Sequence, residues 1–342
     1  MNIYKILKLN QSIKSHRIKF LGLWLLSISN KRYLSIQFDP VLACNLRCKM
    51  CYFTDNEIVK KLKGIFKKED LEILAKINYK NALRLQIGCG AEPTLFKHVT
   101  DVIKLGKEYK IPHISLITNG NLLAEKDVID YSNAGLNEFI LSMHGVKKES
   151  YENFMSKGDF SKFNQVLQWI SDEKVTNKNL SLRINYTFNV DNFFELKDFF
   201  ADYGKYNIDT IQFRPIDKIG ETEYNNFDLS AIENEYSTII GELKNEAISR
   251  KITFLAPSSI KRDLNQNVVE NTNNSSFLVP YTNFYVGPDF VWKDNFDWKT
   301  QTFAQWKKQN NWNLTIFKNI FISKKKLEKL NRNMLNYSVD IN

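Results

Sequence analysis

Six short β-rich runs, each followed by a loop and an amphipathic stretch, recur between residues 34 and 257, and this repeat restricts the fold more than any other feature. The runs are 34-LSIQF-38, 82-ALRLQI-87, 113-HISLIT-118, 138-EFILSM-143, 180-LSLRINYTF-188 and 210-TIQFRP-215. Between them, 96–110 places Phe96, Val99, Val102 and Ile103 at helical spacing, and 192–204 and 229–250 read as helices too. Strands alternating with helices predict βαβ units and a parallel sheet, here an α/β barrel or part of one.

The runs alternate, which strands covered on both faces do not normally do. In the fifth, Leu182, Ile184, Tyr186 and Phe188 oppose Ser181, Arg183, Asn185 and Thr187. Arg84 and Gln86, Gln212 and Arg214, and Gln37 and Asp39 hold the equivalent polar positions of the second, sixth and first. Helices must cover the apolar faces, so the polar faces should look inward. Buried polar groups need partners, and the pattern therefore predicts a barrel whose interior holds a polar ligand.

The remaining chain divides around this unit. Residues 1–33 carry a run of basic residues and the apolar stretch 20-FLGLWLLSI-28, too short for a membrane span, which needs about 20 residues. The expectation is a helix packed across the bottom of the domain; peripheral contact with an anionic membrane is the alternative. The barrel occupies 34–257. An Asn/Ser-rich linker follows at 258–277, then a small α+β extension, 278–342, in which 279–298 reads as a hairpin about Gly287-Pro288-Asp289 and 317–333 as a basic helix. The four tryptophans at 292, 298, 306 and 312 read as a small hydrophobic core. The net charge of +10 is spread over Lys in most helices, the pattern of solvated faces, and no nucleic-acid-binding module is evident.

The chain has four cysteines, three of them within 41-VLACNLRCKMCYFTD-55 at 44, 48 and 51. An odd cluster is no disulfide framework and points to a reducing, cytoplasmic compartment. Thiolates select zinc or iron–sulfur clusters. Three ligands fall one short of a structural zinc site, and they would leave one iron of a cubane open to a substrate or cofactor. The loop also follows the first strand, at the C-terminal mouth where barrel active sites lie.

The spacing C-x3-C-x2-C after a first strand resembles that of the radical S-adenosylmethionine enzymes, and other motifs agree. The stretch 90-GAEP-93 follows the second strand, Thr118-Asn119-Gly120 closes the third and 141-LSMHG-145 closes the fourth. The resemblance spans about residues 34–220. It implies a partial (β/α)6 TIM-type barrel, a [4Fe–4S] cluster on Cys44, Cys48 and Cys51, and S-adenosylmethionine chelated at the open iron. One electron, from a donor such as flavodoxin or ferredoxin, would release a 5′-deoxyadenosyl radical that takes a hydrogen atom from the substrate. It further implies cofactor contacts from Met50 and Tyr52 beside the third cysteine, from Gly90, Ala91 and Glu92, and from Asn119 and Ser142. Arg183, Asn185 and Arg214 would be cofactor neighbours on later strands. Glu92 would receive the methionyl amino group.

Three features depart from the family pattern: Met50 stands before the third cysteine where the family often has an aromatic residue, Ala91 replaces a glycine, and the extension resembles the cysteine-rich SPASM type yet has no cysteine after Cys89. A mechanism that needs an auxiliary cluster is therefore not expected. The resemblance points to maturation of a ribosomally made peptide with a leader segment. Modification of a lipid or envelope sugar, and a non-catalytic cluster-binding partner protein, are the alternatives. Cys89, next to the predicted cofactor, is either a hydrogen-atom donor or a packed small residue, with packing favoured. His144 is a weaker candidate acid/base.

Overall fold

In a computed structural model, the structure describes residues 3–260, 276–293, 295–323, 326–327 and 340–341. Most of the predicted linker and the last part of the predicted basic helix lie outside the described residues.

Eight parallel strands form one sheet. They are β1 (Leu34–Phe38), β2 (Ala82–Ile87), β3 (His113–Thr118), β4 (Glu138–Met143), β5 (Ser181–Phe188), β6 (Thr210–Pro215), β7 (Thr253–Ala256) and β8 (Asn283–Val286). Their spatial order is β8-β1-β2-β3-β4-β5-β6-β7, and Asp340–Ile341 adds an antiparallel edge beside β7. No described pairing joins the two ends, so the sheet is a partial barrel, as the resemblance implied.

One face of every central strand is apolar and carries helices. A Cβ built on Gly106, in the helix Val99–Glu108, would lie 2.7 Å from Ile114 and 3.3 Å from Leu85. Phe199 meets Phe213 at 5.4 Å between ring centroids, and Tyr186 meets the same ring at 5.8 Å. These rings and the β-strand residues Leu85, Ile114, Phe139, Leu141, Ile184 and Ile211 are fully buried. The opposite, concave face is polar, as the alternation predicted.

The four-residue β7 adds to the six runs read from the sequence. The run 283-NFYV-286 folds as β8, parallel to β1 (Gln37 opposite Tyr285), and is also the first arm of the expected hairpin, where Val286 bridges Val291, Gly287 N–H donates to Phe290 O (2.7 Å) and Trp292 N–H to Tyr285 O (2.8 Å). A helix spans Trp312–Asn319, with Trp312 and Ile316, one turn apart, buried and Phe317 exposed. Of the helix expected over 317–333, residues 317–319 end this one and 326–327 are helical, while 324–325 and 328–333 lie outside the described residues. Three of the four tryptophans form the expected core, with Trp292 stacked on Phe284 at 4.6 Å and edge-on to Trp306 and Trp312, whereas Trp298 packs on Phe66 (5.3 Å).

The N-terminus forms helices Ile3–Ser12 and His16–Ile28. The second packs on Trp312–Asn319, where Ser27 Oγ donates to Asn313 Oδ1 (2.7 Å) and Trp24 meets Phe317 (5.2 Å). No described helix is long and apolar enough to cross a membrane.

Candidate active site at the strand C-termini

The cysteine loop begins where β1 ends. Arg47–Cys48 pairs antiparallel with Met155–Ser156, and Lys49 N–H donates to the Phe154 carbonyl (3.0 Å), which fastens the loop to the segment after β4. Inside the loop, Arg47 donates to the carbonyls of Cys44 and Leu46 (2.8 Å each), and Cys51 N–H donates to Cys48 O (2.8 Å). Short-range contacts thus fix the loop before any ligand binds.

Burial raises all three thiols. Cys44 is pushed up to about 11, and Cys48, the most deeply buried, goes higher, with repulsion from the other two cysteines adding to burial. Metal-free, the trio is protonated at neutral pH; a soft metal would displace those protons. Among the described residues no three His, Cys, Asp or Glu side chains share a single-ion geometry. Three soft sulfur donors on one loop are what a cubane iron–sulfur core with one open iron takes. The donor set therefore fits an iron–sulfur cluster.

Glu92 joins this loop to its neighbours. Its backbone N–H donates to Ala43 O (2.9 Å). Its buried carboxylate accepts from Thr118 Oγ1 (2.6 Å), Thr94 Oγ1 (2.6 Å), Thr94 N (3.2 Å) and Asn119 N (2.9 Å). Asn119 Nδ2 then donates to Asn45 Oδ1 (2.9 Å), one residue from Cys44. GAEP, Thr118-Asn119-Gly120 and the cysteine loop are thus one hydrogen-bonded assembly. Burial pushes the Glu92 carboxyl up, and the four donors pull it back. Thr94 and Asn45 have no separate signal in the sequence, because the Glu92 carboxylate and the Asn119 amide reach them only in three dimensions.

The turn before GAEP demands glycine. Gly88 has φ +86°, and an added Cβ would lie 2.5 Å from Ile117 O and 2.8 Å from Pro93 Cγ. Gly88→Ala should lower stability by about 1–3 kcal/mol through its left-handed backbone and the contact with a carbonyl. A thermal midpoint unchanged from wild type would contradict this. A Cβ at Gly90 would come within 2.9 Å of the Tyr52 hydroxyl, which donates to Gly90 O. Met50 is buried under the loop.

On the concave face, polar side chains link strand to strand. Arg84 donates to Gln86 (2.5 Å) and Ser115 (3.4 Å), and Arg183 to Asn185 (2.7 Å) and to Gln212. Arg214 Nε donates to Thr187 Oγ1 (3.0 Å), and His113 faces Glu138 (3.2 Å). Ser142 sits opposite Asn185 in the β4–β5 register. Near the mouth, Asp39 accepts from Cys89 N (2.6 Å), Gly90 N (3.0 Å) and the Tyr285 hydroxyl (3.2 Å). Asp39 and Tyr285 belong to the site although the sequence reading gave neither a role. Asp39 continues the parity of Gln37 and was legible as polar-facing; Tyr285 was hidden by the hairpin reading. Cys89 is accessible and contacts Gln37 (3.7 Å), and its narrow surroundings and the Asp39 carboxylate hold its thiol at about 12.

His144 is buried, and its Nδ1 accepts from Thr187 N (3.2 Å). Burial, then Arg214, depresses it to about 3. It is neutral at pH 7, which argues for a structural role. Above the unfolded value of about 6.5 it contributes no pH dependence. As pH falls below that value the unfolded chain takes up a proton that the folded one refuses, so stability drops by up to about 1.4 kcal/mol per unit. At pH 5 this amounts to about 2 kcal/mol, and His144→Leu should lack it; equal pH dependence in urea unfolding of the two proteins would contradict the assignment.

The Radical SAM superfamily model matches residues 40–200. Among curated relatives, the probable GTP 3′,8-cyclase of Methanocaldococcus jannaschii is 27% identical over 273 residues, covering 76% of this chain and 86% of the relative. That of Sulfolobus acidocaldarius is 27% identical over 210 residues, and the match spans 60% of this chain but 64% of the relative. Streptococcus suis SuiB bound to S-adenosylmethionine shares the fold (TM-score 0.56, 15% identity, 81% of this chain and 64% of that one). So does anSMEcpe with bound S-adenosylmethionine (TM-score 0.56, 19% identity, 86% and 85%).

Proposed function

We propose, from the premise that this chain belongs to the radical S-adenosylmethionine superfamily and is an iron–sulfur, S-adenosylmethionine-dependent enzyme, that it abstracts a hydrogen atom from a small anionic substrate held on the concave face. The observation that carries this reading is the polar face itself. It bears Arg84, Arg183 and Arg214 among amide and hydroxyl side chains, next to the Glu92-centred assembly.

Cys44, Cys48 and Cys51 would hold the [4Fe–4S] cluster. Glu92, fixed by four donors, would accept hydrogen bonds from the cofactor's amino group, with Asn119 and the backbone at Gly90 and Ala91 beside it. Met50 and Tyr52 would pack the loop side, and Ser142 and Asn185 would border the cofactor from β4 and β5. Bound there, cluster and cofactor supply a 5′-deoxyadenosyl radical. The arginines would then orient the substrate anion and keep its reacting C–H fixed while water is excluded.

The named relatives act on GTP, an anion of this kind, and their likeness favours a nucleotide over a neutral metabolite. Peptide maturation is the second reading, favoured by β8, through which Tyr285 of the C-terminal extension borders the substrate space. A lipid or envelope sugar would require the membrane surface discussed below.

The test is substrate-stimulated release of 5′-deoxyadenosine by anaerobically reconstituted protein. Anionic nucleotides should stimulate release, and Arg183→Leu should weaken the stimulation about tenfold, the loss of one hydrogen bond to a charged group. Stimulation by peptides alone would overturn the anionic reading in favour of the second.

A further inference from the structure

The helix His16–Ile28 is apolar on two sides. Its inner side buries Phe20 and Leu23, with Phe20 against Phe277 (5.4 Å) and Tyr281 (5.8 Å). Its outer side carries Ile18, Leu21, Leu25 and Ile28, spaced by three, four and three residues so that they form one stripe, and all are exposed. The neighbouring helix Trp312–Asn319 extends the patch with Phe317, which touches Trp24, and Phe321 follows at 5.6 Å from Phe317 and 68% exposed. A helix apolar all round is ordinarily covered, and contiguous exposed apolar surface marks a docking site.

Charge identifies what covers it. Residues 1–38 hold seven Lys or Arg and no Asp or Glu, and residues 298–327 likewise hold seven Lys and no acid. The rest of the chain has 34 basic and 38 acidic residues, so the two segments that build this patch carry the whole positive excess. Lys14 and Arg17 stand exposed at one end of the stripe and Lys31 at the other, while Lys318 lies between Phe317 and Phe321. Apolar residues inside a basic rim are the footprint of a helix lying in the interface of an anionic bilayer. Nucleic acid would use the charge but leave the apolar stripe in water.

We infer that the outer face of His16–Ile28, together with Phe317 and Phe321, docks on an anionic phospholipid membrane, lying on the bilayer and not spanning it. This inference is independent of the reaction proposed above.

The experiment is flotation of the full chain with phosphatidylglycerol/phosphatidylcholine vesicles and with pure phosphatidylcholine vesicles. Binding should be at least tenfold stronger to the anionic vesicles and fall in high salt. Leu25→Glu combined with Phe321→Glu should lower it a further tenfold or more while circular dichroism and 5′-deoxyadenosine release stay at wild-type levels. Those two readouts separate loss of docking from misfolding and from failure of the reaction proposal. If the double variant loses its fold, Leu21→Ser alone should still weaken anionic binding several-fold. Four results would overturn the inference: no binding to either vesicle; equal binding to both; a dimer in sedimentation velocity that Leu25→Glu disrupts, without vesicle binding; or nucleic-acid binding without vesicle binding.

Discussion

Replacing any one of Cys44, Cys48 and Cys51 by alanine is expected to remove iron binding and reduce 5′-deoxyadenosine formation to background. Each thiol is a separate anchor, and the loop offers no substitute ligand: Cys89 lies beyond Gly90 and is engaged with Asp39 and Gln37 through its backbone and sulfur. Stability of the metal-free protein should change little, because the loop is held by Arg47, by its own backbone bonds and by the Met155–Ser156 pairing. The effect should therefore read out as lost metal and not as lost fold. Iron analysis, the absorption of the reconstituted protein and far-UV circular dichroism separate the two. Cleavage of S-adenosylmethionine by the triple variant would refute the assignment of this loop.

The second large effect concerns Glu92. Glu92→Gln keeps the size of the side chain and one acceptor oxygen, so the four donors around it are only partly orphaned. Iron content should stay at the wild-type level while cofactor cleavage falls about 10- to 100-fold, matching the loss of a hydrogen bond to a charged group. Glu92→Ala should be worse in a different way. It would strand Thr94, Thr118 and the Asn119 amide in a buried site, at about 1–3 kcal/mol for each unsatisfied group. Urea unfolding of both variants, beside isothermal titration with S-adenosylmethionine, distinguishes the roles. Wild-type affinity in Glu92→Gln would show that this carboxylate serves the fold alone.

The barrel strands were readable because each has one face against helices and one against polar contents. Leu182, Ile184, Tyr186 and Phe188 opposite Arg183, Asn185 and Thr187 state that division within a single run, and β5 follows it. What escaped were features whose cause is distant in the chain. Thr253–Ala256 is four residues long and gains its identity from the pairing with β6. Asn283–Val286 is one arm of a local hairpin, and nothing local shows that its other edge pairs with β1, far earlier in the chain. The site divides the same way. The three cysteines, Glu92 and Thr118-Asn119-Gly120 stand out as motifs, whereas Thr94 and Asn45 matter only because the Glu92 carboxylate and the Asn119 amide reach them. The basic charge looked diffuse along the sequence, yet its excess lies in two terminal segments that pack against each other.

The most direct test of the central claim is anaerobic reconstitution of the full chain with iron and sulfide, followed by dithionite and S-adenosylmethionine. The account predicts about four irons per chain for one cubane cluster, together with 5′-deoxyadenosine formation. Failure to bind iron, or a bound cluster that leaves S-adenosylmethionine intact with every candidate substrate present, would contradict it.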